Sequence, residues 1–309
     1  MALTSCALRP SPTQPQQDNL PRAGLDAALL EVATRSGVKN ISAALLRPNG
    51  TAWHGQAGSG AVAWGSITKM PVAAAAFALT ERSAWQLSDP IGRYVTGLPW
   101  GDVVTLSDLL AHTAGLPRDI EDAAHAVRSA EAERLALTGL AIARQGHFAY
   151  SNAGYRAIAL AMESVTGRSW QQIVQQYVFM PAGTQALILS PRFAVPAQAA
   201  PGAAGALRGS ASEVAQLLNA LLAGQIISKN SLNFMLSPLR ESEDAALRFG
   251  RGLIVYDLPD GGQWVGHSGG TRDGRAIVAW MPTKQAIIAI AMGGQQSAEA
   301  AAKILAAAL

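Results

Sequence analysis

The 309 residues carry 24 basic against 21 acidic side chains, with 49% hydrophobic and 6% aromatic content. That supports a sizeable core, and with no Lys/Arg cluster alternating with aromatics nothing points to nucleic acid. A single cysteine, Cys6, excludes an internal disulfide, and no run reaches the roughly 18 uninterrupted apolar residues of a membrane helix.

Taken in chain order, Leu3-Thr4-Ser5-Cys6 is similar to the lipobox of bacterial lipoproteins, although only Met1 and Ala2 stand where an apolar run belongs. This leaves two expectations: a lipid anchor at Cys6 with a periplasmic or cell-envelope location, or an accidental match in a cytoplasmic chain. Ser11 to Arg22, rich in Pro and Gln, suits a tether, so residues 1–22 are set apart. Leu25 to Ser36 has helical spacing. Ile41 to Arg47 and Thr51 to Ala57 flank Pro48-Asn49-Gly50, a hairpin signal. Gly65-Ser66-Ile67-Thr68-Lys69 then precedes an alanine-rich helix. Pro71 is tolerated only in a first turn, so that helix starts near Ile67 or Thr68.

From Ser88 the character changes. Thr105 to Leu110 makes a short capped helix, Glu131 to Arg144 a further one, Asn152 to Thr166 and Ser169 to Phe179 a pair broken at Gly167, and Ser210 to Ala223 another. No strand pattern is legible from 88 to 230. Strands return at Phe249 to Leu258, Gln263 to His267, Arg275 to Met281 and Gln285 to Met292, and Ala298 to Leu309 closes as a helix. The expected fold is α/β plus all-α. Residues 23–87 and 231–309 share an antiparallel sheet flanked by terminal helices, and 88–230 form a helical region inserted between its second and third strands.

Ser66 and Lys69 fall on one face of a helix start, where a desolvated lysine can take the serine proton. Ser36-Gly37-Val38-Lys39 has the same spacing but ends a helix, so context favours Ser66. Tyr150-Ser151-Asn152 precedes a helix. Its tyrosine can pass a proton to a leaving group and its asparagine can donate its amide to a substrate carbonyl and touch Lys69; the plainer reading is an N-cap at Ser151 or Asn152 with Tyr150 as a packing aromatic. Val265-Gly266-His267-Ser268-Gly269-Gly270 ends a strand with glycines where a ligand backbone can approach, and the Gly270 N–H can join that of Ser66 as an oxyanion donor. Gly266-His267-Ser268-Gly269-Gly270 also fits the α/β-hydrolase nucleophile elbow. No histidine comes after it and the next segment is a strand, so Ser268 is rejected as nucleophile.

Together these elements resemble the serine β-lactamase and penicillin-binding protein superfamily, in its class C β-lactamase, DD-peptidase and esterase branch. Leu109 to Pro117, Tyr150 to Tyr155, and Gly266 to Gly270 with Gly274 are similar to its motifs. The resemblance implies a β-lactamase/transpeptidase-like fold, an active site in the cleft between two regions, and an acyl-enzyme on Ser66. It implies Lys69 as proton acceptor and Tyr150, partly ionised, as proton shuttle. Asn152, His267, Ser268, Gly269 and Gly270 would bind the substrate, a small molecule or short peptide. His267 stands where β-lactamases carry lysine, which leans toward a DD-carboxypeptidase-like or esterase activity; a true β-lactamase and a covalent sensor without turnover are the alternatives. His112 is expected to hold its loop, and Arg251 and Arg272 are candidate carboxylate anchors. His54, His125 and His147 lack ligand spacing, so neither metal nor cofactor is expected.

Overall fold

The computed structural model describes residues 20–38, 40–58, 62–120, 130–189 and 202–309. Cys6, most of the tether, Lys39 and His125 lie outside the described residues. Helix α1 (Arg22–Ser36) leads into strands β1 (Ile41–Leu46) and β2 (Ala52–Ala57), which pair as a hairpin. After β3 (Val62–Ala63), a tight turn at Ser66–Thr68 opens α2 (Lys69–Glu81). The inserted region contributes α3 (Leu106–Leu110), α4 (Ala130–Thr138), α5 (Asn152–Thr166) and α6 (Trp170–Val174), which runs on through a π-turn at Gln175–Phe179. Next come strands β4 (Ile188–Leu189) and β5 (Leu207–Gly209) and helices α7 (Ala211–Leu222) and α8 (Lys229–Met235). The chain ends with β6 (Arg240–Glu241), β7 (Leu247–Phe249), β8 (Ile254–Asp257), β9 (Gln263–Thr271), β10 (Gly274–Met281), β11 (Ala286–Gly293) and α9 (Ala298–Ala307).

The main sheet is antiparallel throughout, in the order β2-β1-β11-β10-β9-β8-β7-β6. Its central strands β10 and β11 are apolar at nearly every position because both faces are buried. On one face Ile41, Leu45, Ile277 and Ile288 pack with Leu25, Val32, Ala302 and Leu305, which joins the terminal helices α1 and α9 over the sheet. On the other, Ala44, Val278, Trp280 and Ala289 join the core of α2, α5 and α7. Helix α2 is buried from Lys69 to Leu79, which explains its run of alanines: small side chains let neighbours approach on every side.

Five sequence expectations need correction. The helix expected over Glu131 to Arg144 ends at Thr138. The 88–230 region is not wholly helical, since β4 and β5 join β3 in a second sheet ordered β3-β5-β4. Strands of two or three residues show no alternation to read. Helix α7, expected within the insertion, packs on β1, β10 and β11. The expected strand Phe249 to Leu258 is broken at Gly250-Arg251-Gly252, where the Gly250 N–H donates to the Leu253 carbonyl. Conversely, the strand expected to end at His267 continues to Thr271, because β10 pairs with it across Ser268, Gly269 and Gly270.

A buried ion pair ties α4 to α5: Arg156 Nε donates to Glu133 Oε1, and both side chains are almost fully enclosed. Glu133→Ala would leave the guanidinium buried without its counter-charge, which costs about 3–5 kcal/mol. We expect a lower urea midpoint at unchanged slope; an unaltered midpoint would show that the pair does not bind the two helices together.

Candidate active site

The site begins with backbone geometry. Gly65 has φ +52°, and a Cβ there would meet the Gly270 carbonyl oxygen at 2.6 Å. A Cβ on Gly269 would lie 2.0 Å from the Trp64 carbonyl oxygen. Only glycine permits β9 to lie this close to the segment carrying Ser66. Thr68 locks the turn: its hydroxyl donates to the Gly65 carbonyl at 2.7 Å and accepts the Leu207 N–H at 2.9 Å.

The turn and the first residue of α2 bring Lys69 Nζ to 3.2 Å from Ser66 Oγ. Lys69 is fully buried and has two further acceptors, Asn152 Oδ1 at 2.7 Å and the Ala204 carbonyl at 3.0 Å. Burial holds its pKa well below the usual lysine range; the charge of Arg118 adds to this and that of Asp119 opposes it. A neutral amine has two N–H groups and one lone pair. With the two N–H groups donated to Asn152 and Ala204, the lone pair remains for the Ser66 hydroxyl.

Tyr150 Oη donates to Ser66 Oγ at 2.8 Å. Burial raises its pKa to about 12, so at neutral pH it is a phenol. This corrects the expected partial ionisation: for this half-buried phenol the loss of hydration outweighs the Ser66 contact and the charge of Arg118. The start of α5 fixes the residue in place, since Ser151 is the N-cap of that helix and accepts the Gly154 N–H at 3.2 Å. The Ser151 N–H donates to His112 Nδ1 at 3.0 Å, and the His112 ring stacks on Tyr150 with centroids 4.4 Å apart. Burial holds His112 well below the usual histidine range, which keeps it neutral. It props the phenol rather than exchanging protons.

Asn152, the first residue of α5, reaches Lys69 through Oδ1 and donates from Nδ2 to Asp119 Oδ1 at 2.8 Å. On the opposite wall His267 is buried, and Nδ1 lies 2.6 Å from the Ser268 carbonyl. A carbonyl only accepts, so Nδ1 carries the proton. Burial, with Lys69 nearby, lowers the His267 pKa to about 3. Pairing between β8 and β9 ends at Gly266, and His267 to Thr271 run on into the cleft beside Ser66. The cleft has a volume of about 1610 Å³ and is lined by Ser66, Tyr150, Asn152, His267, Ser268, Gly269 and Gly270. All the expected site residues except Lys69 thus line one cleft, and Lys69 lies under its floor.

Arg251 is not a carboxylate anchor. Its side chain is spent on Ser107 Oγ and the carbonyls of Phe234 and Ser237. Arg272 does line the cleft. Sequence reasoning missed Arg118, Asp119 and the Ala204 carbonyl. Arg118 and Asp119 come directly after the Gly115-Leu116-Pro117 turn, a position that signals nearness to the site. A backbone acceptor such as Ala204 leaves no sequence signal.

The beta-lactamase family profile matches residues 40–309. A putative penicillin-binding protein, PbpX, of Bacillus subtilis is 32% identical over 120 residues, covering 38% of this chain and 30% of that protein. A second penicillin-binding protein of the same organism is 24% identical over 250 residues, 66% of this chain and 54% of its own length. The matches thus span about half or less of these two curated relatives. Among solved structures, a D-amino acid amidase from Ochrobactrum anthropi, complexed with L-phenylalanine amide, superposes with a TM-score of 0.81 at 18% identity, covering 93% of this chain and 98% of that one. With a family match across nearly the whole described fold, the chain belongs to the beta-lactamase family, within the serine β-lactamase and penicillin-binding protein superfamily.

Proposed function

We propose that this chain is a serine hydrolase that forms an acyl-enzyme on Ser66 and cleaves esters or amides of D-amino acids. One observation carries the reading: Ser66 Oγ sits between a buried amine at 3.2 Å and a protonated phenol at 2.8 Å. In the acylation step Lys69 takes the Ser66 proton as Oγ bonds to the substrate carbonyl carbon. The N–H groups of Ser66 and Gly270, held close by the Gly65 contact, are the donors for the developing oxyanion. The carbonyl then re-forms, the bond to the leaving group breaks, and that group takes the Tyr150 proton. The Lys69 ammonium restores the phenol proton, and water attack on the ester frees Ser66. An extended substrate can align along the open edge of β9 at His267 to Thr271.

His267 shapes the substrate class. A neutral imidazole whose N–H is bound to the Ser268 carbonyl gives little attraction to a carboxylate, which weighs against a β-lactamase reading. The structural similarity to a D-amino acid amidase points the same way. Peptides ending in a D-alanyl carboxylate form the second reading, because Arg118 and Arg272 line the cleft. Parallel assays on p-nitrophenyl acetate, D-phenylalanine amide, a D-Ala-D-Ala peptide and nitrocefin test the proposal. Steady turnover of the ester and the amide is expected; a single burst would indicate a sensor, and no reaction with any of the four would remove the proposal.

Tyr150→Phe should separate the substrates. An amide nitrogen must be protonated to leave, whereas p-nitrophenolate leaves unprotonated. Amide turnover should fall roughly 100- to 1000-fold, ester turnover far less. Equal losses on both would remove Tyr150 as the leaving-group acid.

A further inference from the structure

We propose that Asp119 is a positioning residue of this site: its carboxylate fixes the Asn152 amide so that Oδ1 is presented to Lys69. The inference rests on the Ser66 acyl-enzyme reading and adds a residue to it. The contacts run in one line. Asp119 Oδ1 accepts from Asn152 Nδ2 at 2.8 Å; Asn152 Oδ1 accepts from Lys69 Nζ at 2.7 Å; Lys69 Nζ lies 3.2 Å from Ser66 Oγ; Tyr150 Oη donates to the same oxygen at 2.8 Å.

An asparagine amide has two faces of nearly equal shape and opposite hydrogen-bonding sense. Rotated by half a turn, Asn152 would direct Nδ2 at the lysine. Two donors would then oppose each other in a buried place, and Lys69 would turn its lone pair toward Asn152 and away from Ser66. A carboxylate accepts and cannot donate, so Asp119 selects the one orientation that leaves the lone pair for the serine. The Asn152 backbone adds a second tie to the same loop, its N–H donating to the Arg118 carbonyl at 2.7 Å. The loop after Pro117 thus holds Asn152 by both main chain and side chain.

The charge of Asp119 has its own signature. Lys69 is faced by Arg118 and Asp119 from this loop, His112 from the end of α3, Tyr150 and Tyr155 beside and within α5, and His267 from β9. His112 and His267 are neutral and both phenols are protonated, which leaves Arg118 and Asp119 as the fixed charges of the group. Asp119 favours the ammonium form. Removing its charge lowers the Lys69 pKa, so the pH at which the base is lost to protonation moves down.

The test measures Ser66 labelling by an uncharged fluorophosphonate against pH, in the wild type, Asp119→Asn, Asp119→Ala and Ser66→Ala. Asparagine keeps an acceptor for Asn152 Nδ2 without the charge; alanine keeps neither. We expect Asp119→Asn to retain the plateau rate within about threefold and Asp119→Ala to lose about tenfold, with the acid limb shifted to lower pH in both. The limb reports the charge of Asp119 acting on Lys69 through space, and the difference in plateau between the two variants reports the hold on Asn152. A wild-type plateau in Asp119→Ala would overturn the inference while leaving the acyl-enzyme reading intact, and would suit a carboxylate that binds a cationic substrate group instead. A wild-type protein labelled no faster than Ser66→Ala would overturn the acyl-enzyme reading and this inference with it.

Discussion

Ser66→Ala should abolish turnover of esters and D-amino acid amides, by roughly 10⁴- to 10⁶-fold in kcat, while the protein melts within a few degrees of the wild type. In the proposed mechanism the hydroxyl is the atom that bonds to the acyl group, so its loss leaves no nucleophile. Ser268 lies on β9 and leads into a strand, not a helix, so it has no elbow to present it. The Ser66 side chain contacts Lys69 and Tyr150 and carries none of the fold: the turn is locked by Thr68, and Gly65 sets its approach to β9. Residual turnover that survives in this variant, with contamination excluded, would end the assignment of the nucleophile.

Lys69→Ala should be nearly as damaging, with a loss of about 10³- to 10⁴-fold, and Lys69→Arg should not rescue it. A guanidinium stays charged at any working pH and offers no lone pair. The wild-type rate should fall toward acid as the amine is protonated. Because burial depresses the folded pKa, that fall begins well below the usual lysine range. The same shift acts on stability. Between the folded value and the unfolded one, the unfolded chain holds a proton that the folded chain lacks, so Lys69 makes folding more favourable as pH rises through this window. Lys69→Ala should flatten that slope in urea titrations run at several pH values. A wild-type rate in Lys69→Arg would show that no neutral amine is needed.

Much of the site was legible because its chemistry is written in side chains near turns. Ser66 and Lys69 precede a helix, Tyr150 and Asn152 flank an N-cap serine, and His267 stands among glycines. What escaped the sequence is what depends on surroundings. The phenol state of Tyr150 is set by its loss of water, the tautomer of His267 by the Ser268 carbonyl, and the lone pair of Lys69 by the Ala204 carbonyl. Arg251 looked free until Ser107 and two carbonyls from the Phe234 to Ser237 segment were seen to hold it. The strand is expected to end at His267 because glycines score poorly as β formers, while the pairing with β10 carries it on to Thr271. The short strands of the second sheet are too brief for any periodicity.

The seam between Gly65 and β9 constrains how this chain can change. No side chain larger than hydrogen fits at Gly65 or Gly269, so diversification toward new acyl groups is closed along that wall. Variation is left to the other lining residues, where Arg118 projects from a loop and Glu241 to Asp244 border the cleft. Descendants with altered preferences should differ there first and keep the glycine pair.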